Sequence, residues 1–419
     1  MFQPAGLIAV MTLSKFPLAY LSVRSAMEWK VEQLAEAARL SGTSPWRVWC
    51  TIQAPLLLPA FLAGAALVFM DTVGDFGLPA SIAAVYRFPT LPYSIYSALY
   101  TSPIRFDMAG VLSFYLVLLI GAAMLVQFYA LRRSDSTSCR PAPCLRCRNR
   151  PGASMAARRV ESGLFAGCHR HSDRFQCTAV FFKNADRRLQ PGNLTLEHYR
   201  SLFHSGSELL VGLERSLAIA LLAAALGLLI GLMAAYVLNY SQFRLKRGIE
   251  VLSLVTLAVP GVVLGIGYIF VWNQRWLDNI GLLLYGKPSI LVLAAIAGAI
   301  PVITRVLIGA MAKVPGSLLH AAQLNGDTWL GRIRRVLAPL IHGALLSAGL
   351  AAFGSGVFDL AVNSILFPPN FITFPVSVNK AFEDMKFGYA SAATVFGGTI
   401  VVLIILLLEV LLRRKEVKS

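Results

Sequence analysis

The chain has 419 residues, of which 56% are hydrophobic and 14% are charged, and its formal net charge is +17. Soluble domains carry about 25% charged residues, so this chain has too few charges to cover the surface of a soluble protein. Together with the long uncharged segments in the sequence, this composition excludes a soluble enzyme, a disordered chain and an outer-membrane barrel.

Four long segments without a charged residue predict membrane-spanning helices. In chain order they are residues 108–131, 217–238, 251–272 and 389–408, and each has 20 or more residues. A helix of that length crosses the hydrocarbon core of a bilayer, which is about 30 Å thick. We therefore predict an all-α, polytopic membrane protein with about eight spans. The first apolar stretch, Phe2–Val23, contains Lys15 and has no clear cleavage site, so it is not predicted to be a signal peptide.

The sequence repeats itself at a constant offset, which brings Pro17 onto Pro301. Identical residues at this repeat offset include the pairs Pro17/Pro301, Ala26-Met27/Ala310-Met311, Gly42/Gly326, Pro55/Pro339, Phe69/Phe353 and Asp75/Asp359. The repeat predicts two homologous helical halves. We expect a first half at residues 1–133 that lacks its N-terminal spans, an aberrant segment at 134–192, and a second half at 193–419.

The strongest match between the halves lies in two basic segments outside the predicted spans, residues 36–55 and 320–339, which we name the first and second motif segments. The first reads Glu36-Ala37-Ala38, three residues, Gly42, nine residues, Ile52-Gln53-Ala54-Pro55. The second reads His320-Ala321-Ala322, three residues, Gly326, nine residues, Val336-Leu337-Ala338-Pro339. Each glycine is predicted to end a helix with a positive φ. Ser44 and Pro45 are predicted to begin the next helix, which makes a short helix–turn–helix.

The two motif segments resemble the EAA motif, E-A-A-x3-G-x9-I-x-L-P, of permease subunits in binding-protein-dependent ABC importers. The resemblance implies that they are cytoplasmic coupling helices that dock in a groove of an ATPase subunit. The alternative is a pair of ordinary cytoplasmic loops. The residues that the resemblance assigns to coupling are Glu36, Ala37, Ala38, Gly42, Pro55, His320, Ala321, Ala322, Gly326 and Pro339.

The same resemblance implies a function in transport. It implies that the chain is not an enzyme and binds no cofactor or metal. Two copies of a separate ATPase subunit would hydrolyse ATP. A periplasmic binding protein would deliver the substrate to this multi-pass protein of the bacterial inner membrane, and alternating access would carry it to the cytoplasm. Fused halves, and the segments 71–77 and 88–96, resemble the ferric-iron type of permease. The alternatives are a permease for thiamine, polyamines or phosphonate, or a secondary transporter.

The basic residues are distributed as expected for a protein in a lipid bilayer. With both motif segments in the cytoplasm, the cytoplasmic loops carry 17 Lys and Arg residues and the outer loops carry 6. This asymmetry follows the positive-inside rule, so the positive charge does not predict a nucleic-acid partner. A glycine-bearing stretch at 281–287 does not qualify as a phosphate-binding loop, because Pro288 follows where Ser or Thr is required.

Three polar residues have two alternative roles each, and a fourth, His320, departs from the motif. Asp75 and Asp359 follow the outer ends of repeat-related spans, and each is either a gate or outer-face contact or a solvated helix end or local cap. His320 replaces the glutamate of the motif, which argues against equal roles for the two motif segments. Arg305 lies near the cytoplasmic end of a predicted span, where it either snorkels to the interface or serves a function.

The segment between Ser134 and Phe182 differs from the rest of the chain. It contains eight Arg, no Lys and five of the six Cys residues. The topology requires an odd number of crossings between residues 133 and 216, yet this segment has no apolar run that could cross. A frameshift is our preferred explanation, and this exact chain would then be either a non-functional allele or the product of a sequencing error. The alternatives are a disordered linker and a zinc module built on Cys144, Cys147, Cys168, His169, His171 and Cys177.

Overall fold

The structure is a computed structural model, and it describes residues 4–26, 38, 40–86, 89–135, 195–203, 207–241, 244, 246–279, 281 and 283–416. All regular secondary structure in these residues is helical, which confirms the predicted all-α class. The chain separates into two compact units, Met1–Thr178 and Ala179–Ser419. The aberrant segment, with its cysteines, lies almost entirely outside the described residues, so the three explanations for it and the predicted domain boundaries stay predictions.

The first unit contains six α-helices and one π-helix among its described residues. They are α1 (Pro4–Ala26), α2 (Pro45–Val48), π1 (Trp49–Gln53), α3 (Ala54–Gly74), α4 (Gly77–Tyr86), α5 (Leu91–Tyr100) and α6 (Phe106–Asp135). Helix α3 packs against α1 and α6, and α5 packs against α6. Phe76, Ile95 and Leu116 are fully buried and form part of the core of this unit.

The second unit continues the numbering with a larger set of described helices. They are α7 (Glu197–Leu202), α8 (Glu208–Tyr240), α9 (Lys246–Ala258), α10 (Gly261–Trp272), α11 (Arg275–Asn279), α12 (Pro288–Met311), α13 (Gly316–Leu324), α14 (Trp329–Arg332), π2 (Ile333–Leu337), α15 (Ala338–Leu340), α16 (His342–Val357), α17 (Leu360–Leu366), α18 (Phe374–Glu383) and α19 (Phe387–Glu416).

Helix α8 lies at the centre of the second unit and packs against α12, α16 and α18. Two glycines one turn apart let its backbone approach α12 closely. A Cβ atom on Gly227 would lie 3.0 Å from the Cβ of Ala299, and one on Gly231 would lie 2.7 Å from the Cγ2 of Ile303. Small residues at this spacing are a common way for membrane helices to pack, since apolar lipid supplies no hydrophobic force between them.

Four described helices are long and apolar enough to cross a membrane: α6, α8, α12 and α19. A fifth candidate is the pair formed by Trp329–Leu340 and His342–Val357, whose two parts meet at 84°. The predicted spans at 108–131, 217–238 and 389–408 are thus confirmed as long helices. The count of about eight spans is not confirmed by these helices and stays a prediction.

The predicted span at 251–272 is wrong as a single helix. It is divided into α9, which ends at Ala258, and α10, which begins at Gly261. The helix is interrupted at Pro260 because proline has no N–H to donate and its ring disfavours helical geometry in the preceding residue, Val259. Helix α10 then packs against α17, with Gly261 and Gly265 at the contact.

The helix bounds agree with the internal repeat in the sequence. Helices α1 and α12 begin at Pro4 and Pro288, which correspond at the repeat offset. Helix α18 begins one residue earlier than the repeat offset predicts from the start of α5. Helix α19 begins three residues earlier than the offset predicts from the start of α6. The second half is therefore one residue shorter before α18 and two residues shorter again before α19, while its helices keep their lengths.

Candidate functional site

The two motif segments fold alike from Pro45 and Trp329 to their last prolines. Helix α2, π1 and the start of α3 correspond to α14, π2 and the start of α15, and each pair of bounds coincides at the repeat offset. In the first half the π-helix leads into the long helix α3, whereas in the second half it leads into the three-residue helix α15, after which the chain bends by 84° into α16. Glu36 and Ala37 lie outside the described residues.

The spacing between the second alanine and the glycine of each motif segment belongs to a Schellman turn. The Asp327 N–H donates to the Ala322 carbonyl at 3.1 Å, and the Gly326 N–H donates to the Gln323 carbonyl at 3.0 Å. In the first half the Thr43 N–H donates to the Ala38 carbonyl at 3.2 Å. These bonds satisfy carbonyls that the end of a helix leaves without a partner.

The predicted positive φ of both motif glycines is confirmed. Gly42 has a φ of +80° and Gly326 has a φ of +84°. A Cβ atom at either position would meet nothing within 4 Å, so there is room for a side chain. The requirement for glycine is therefore conformational, because a left-handed backbone is unfavourable for residues that carry a Cβ.

A proline follows the π-helix of each motif segment and favours the wider turn. The Ala54 N–H donates to the carbonyl of Trp49 and the Ala338 N–H to that of Ile333, five residues back in both cases. Pro55 and Pro339 follow these alanines. A proline ring collides with the carbonyl four residues earlier, and the wider π-turn moves that carbonyl away. Pro55 and Pro339 thus shape the junction between the motif segment and the next helix.

The short helices expose large apolar side chains. Trp46 and Trp49 in the first half, and Trp329 and Leu330 in the second, are exposed, while Val48 and Leu337 are fully buried. The four residues predicted to form one apolar face, Trp46, Val48, Trp49 and Ile52, are therefore not buried together: Val48 is buried and both tryptophans are exposed. In the second half the segment Trp329–Leu340 meets α16 at 84°, so it lies across the end of that helix.

Sequence reasoning missed a repeat-related pair of exposed leucines. Leu40 is 90% exposed and Leu324 is 89% exposed, and each lies two residues before the motif glycine. A single exposed leucine needs no explanation, but the same exposure at the same repeat position in both halves is a feature of the motif. The signal in the sequence is the leucine that the two halves share at this position.

Only the second motif segment has an ion pair that the structure describes across its turn. Arg335 binds Asp327 at 2.8 Å, and Arg332 donates to the Gln323 side chain at 3.0 Å. The residues at these positions in the first half include Thr51, Thr43 and Val48, which cannot form such pairs. Because Arg335 is mostly exposed, its pair contributes about 0–1 kcal/mol and mainly orients the turn. His320 is exposed, which adds to the difference between the halves.

Asp75 and Asp359 each bind neighbouring groups within their own half of the chain. The Asp359 side chain accepts a hydrogen bond from the Val362 N–H at 3.2 Å and caps α17, as the local-cap interpretation expects. Asp75 accepts a hydrogen bond from the Gly77 N–H at 3.0 Å and also binds Lys15 at 3.0 Å. A role of either carboxylate as a gate or outer-face contact stays a prediction.

Lys15 joins α1 to α3 through two carboxylates. Its ammonium group lies 2.7 Å from Asp71 and 3.0 Å from Asp75, and its side chain is mostly buried. The residue at the repeat-related position is Ala299, so the second half has no counterpart of this cation. A lone lysine in the apolar stretch 2–23 was the signal in the sequence, although it did not identify the partners.

We expect Lys15→Met to destabilise the first half by about 1–3 kcal/mol, because it leaves two neighbouring carboxylates without a cation. The effect is smaller than for a fully buried pair, since the Asp71 side chain is 45% exposed. The melting temperature of the purified chain in detergent measures it. Lys15→Arg should restore most of the stability, and Asp71→Asn should partly rescue Lys15→Met. A Lys15→Met protein as stable as the parent would contradict the role of this ion cluster.

Arg305 and the stretch at 281–287 do not join the motif segments. The Arg305 Nη2 atom is buried and has no hydrogen-bond partner among the described residues. Neither interpretation of Arg305 is settled by this arrangement, so both stay predictions.

Gly281 and Gly286 have φ values of +72° and +79° and form turns between α11 and α12. In the described part of the chain no three His, Cys, Asp or Glu residues are grouped to hold a metal ion.

Known proteins are similar to this sequence over most of its length. The family described as "Binding-protein-dependent transport system inner membrane component" matches residues 2–134 and 227–417. The putative ferric transport system permease protein FbpB 1 of Haemophilus influenzae is 24% identical over 360 residues, which cover 83% of this chain and 54% of that protein. The ferric transport system permease protein FbpB of Actinobacillus pleuropneumoniae is 23% identical over 397 residues, covering 92% of this chain and 55% of that protein.

A second kind of relative matches a shorter part of the chain. The molybdenum transport system permease protein ModB of Escherichia coli is 37% identical over 100 residues, which cover 24% of this chain and 43% of ModB. The chain therefore spans about half the length of the relatives it matches.

Proposed function

Because the chain belongs to the family of inner membrane components of binding-protein-dependent transport systems, we propose that it is the permease subunit of an ATP-driven importer. It is a multi-pass protein of the bacterial inner membrane. As a permease subunit it transports rather than catalyses, and a separate ATPase subunit hydrolyses the ATP. A periplasmic binding protein brings the substrate to its outer face.

One observation carries this proposal: the chain has two copies of a short exposed helix that follows a glycine turn, α2 in the first half and α14 in the second. Each motif segment has a Schellman turn at its glycine, large exposed apolar side chains beyond the turn, and a π-helix that leads into the helix after it. Two such segments suit two copies of an ATPase subunit, with one groove for each segment.

The geometry also indicates how movement would pass from the ATPase to the membrane helices. When two ATPase subunits close on ATP, each groove displaces the short helix that it holds. The Schellman turn fixes the direction of that helix, and the π-helix passes its displacement to α3 in one half and to α15 and α16 in the other. Opening of the halves to alternate sides of the membrane then moves the substrate from the periplasm to the cytoplasm.

Ferric iron is the proposed substrate. The support is the similarity to the two ferric transport permeases, which extends over most of this chain. The higher identity to ModB over 100 residues supports molybdate as the second candidate. Uptake of radioactive ferric iron and of radioactive molybdate should be compared in a strain that lacks this gene. Restored uptake of iron alone supports the first candidate, and restored uptake of molybdate alone supports the second.

Co-purification tests the docking of the motif segments. We expect the ATPase encoded by a neighbouring gene to co-purify with the tagged chain, and Leu324→Asp to weaken that association by about ten-fold, because a charge would enter an apolar contact. Leu196→Asp is the matched control: Leu196 is 65% exposed, and the predicted topology places it on the outer side. Equal recovery of the ATPase with both variants would refute the assignment of Leu324 to the docking surface.

A further inference from the structure

The cytoplasmic end of α8 is joined to the second motif segment by two tyrosines. The Tyr236 ring meets the Trp329 ring edge to face, with centroids 5.9 Å apart and an angle of 87°. The Tyr240 hydroxyl lies 2.9 Å from the Met311 carbonyl and 3.1 Å from the Val314 carbonyl, so it can donate to either. Both carbonyls lie where the chain leaves α12 for the motif. A displacement of Trp329 therefore acts directly on α8 through its contact with Tyr236.

The other end of α8 is joined to residues 368–383, which we name the outer segment. The buried Ser216 hydroxyl accepts a hydrogen bond from the Phe374 N–H at 2.9 Å. Arg215 donates to the Asn370 carbonyl at 3.1 Å and lies 4.5 Å from the centre of the Phe371 ring. Gly212 lets the backbone of Phe374 come close, because a Cβ there would lie 3.1 Å from its nitrogen.

Helix α8 runs without interruption between these two junctions. Ser216 and Tyr236 are separated by a helical rise of about 30 Å, which matches the thickness of the hydrocarbon core. Gly227 and Gly231 hold the intervening stretch against α12. Two other paths through the second unit are broken, at Pro260 between α9 and α10 and at Ile341 between α15 and α16, while α12 and α19 are continuous like α8.

We propose that α8 links the second motif segment to the outer segment, and that Tyr236, Tyr240, Arg215 and Ser216 are the positioning residues that fasten its two ends. Movement of the motif segment would then change the freedom of residues 368–383 on the far side of the membrane. The proposal rests on the proposed function for its biological meaning, while the link itself is a property of this chain alone.

Hydrogen exchange of the full chain in detergent tests the link without any partner. We expect Tyr240→Phe to speed exchange of the Phe374 amide by about 3-fold or more, because loosening one end of a rigid helix weakens the contact at the other. Ser216→Ala should speed the same amide directly, and Tyr268→Phe, on α10, is the control for loss of a tyrosine hydroxyl. Unchanged Phe374 exchange in Tyr240→Phe, with faster exchange in Ser216→Ala, would overturn the proposal.

A double-mutant cycle in the assembled transporter tests whether the two ends act as a unit. Tyr240→Phe and Ser216→Ala should each lower stimulation of ATP hydrolysis by the loaded binding protein, and the double variant should be close to the worse single variant. Ser216→Thr keeps the hydroxyl and should restore stimulation. Effects that multiply in the double variant would overturn the link. A parent chain that binds no ATPase would refute the proposed function, and the exchange result would still decide the link.

Discussion

Gly231→Val is expected to destabilise the second unit by about 1–3 kcal/mol, the usual effect of forcing extra atoms into a packed interior. A Cβ at Gly231 would lie 2.7 Å from the Cγ2 of Ile303 and 3.1 Å from its Cβ. Neither atom is the far end of a flexible side chain, so α8 and α12 must move apart. For a unit of this size we expect the melting temperature in detergent to fall by about 3–10 °C.

The control for this variant lies on the same helix pair. Gly298→Val places the same side chain on α12, where a Cβ would meet nothing within 4 Å, so its melting temperature should stay near that of the parent. Ile303→Ala removes the atom that Gly231→Val would strike, and the combined variant should be less destabilised than the two single effects predict. Equal melting temperatures for Gly231→Val and Gly298→Val would show that the glycine contact does not limit the packing.

Gly326→Val is expected to separate ATP hydrolysis from transport. A left-handed backbone costs a residue with a Cβ about 1–2 kcal/mol, and a β-branched side chain tolerates it least. The turn would therefore open, and the exposed helix after it would no longer hold its direction. We expect substrate uptake to fall by about ten-fold or more while ATP hydrolysis continues. Gly42→Val should act in the same way in the first half.

Asparagine supplies the matched control at these two glycines. Asn adopts a positive φ more readily than other residues with a side chain, so Gly326→Asn should keep most of the uptake. Since a Cβ at Gly326 meets nothing within 4 Å, a difference between the Val and Asn variants reports the backbone conformation and not a collision. Full uptake with normal recovery of the ATPase in Gly326→Val would contradict the coupling role of this turn.

The sequence predicted the elements whose determinants are local. The turns at Gly42 and Gly326 follow from a glycine at the end of an alanine-rich helix, and the helix that begins at Pro45 follows from the proline. Long uncharged runs identified α6, α8 and α19. The break at Pro260 had a local signal as well, but the apolar run on both sides of the proline outweighed it in the prediction.

Features that depend on contacts distant in the sequence were not predictable in this way. Lys15 binds Asp71 on α3 and Asp75 directly after that helix, both far along the chain, and no periodicity identifies these partners. The contacts of Ser216 with Phe374 and of Tyr236 with Trp329 depend on how α8 packs in its unit. The π-helices require bonds such as that from Ala54 to the Trp49 carbonyl, which a proline alone does not specify, because proline also breaks or kinks helices.

The register of the two π-helices also bears on the ancestry of the chain. A π-turn holds one residue more than an α-helical turn of the same rise, and that residue rotates everything after it by about 100°. Two halves that had acquired the extra residue separately would have had to do so at the same register. Trp49–Gln53 and Ile333–Leu337 occupy one register, as expected if a single ancestral half already held the extra residue before a gene duplication joined two copies.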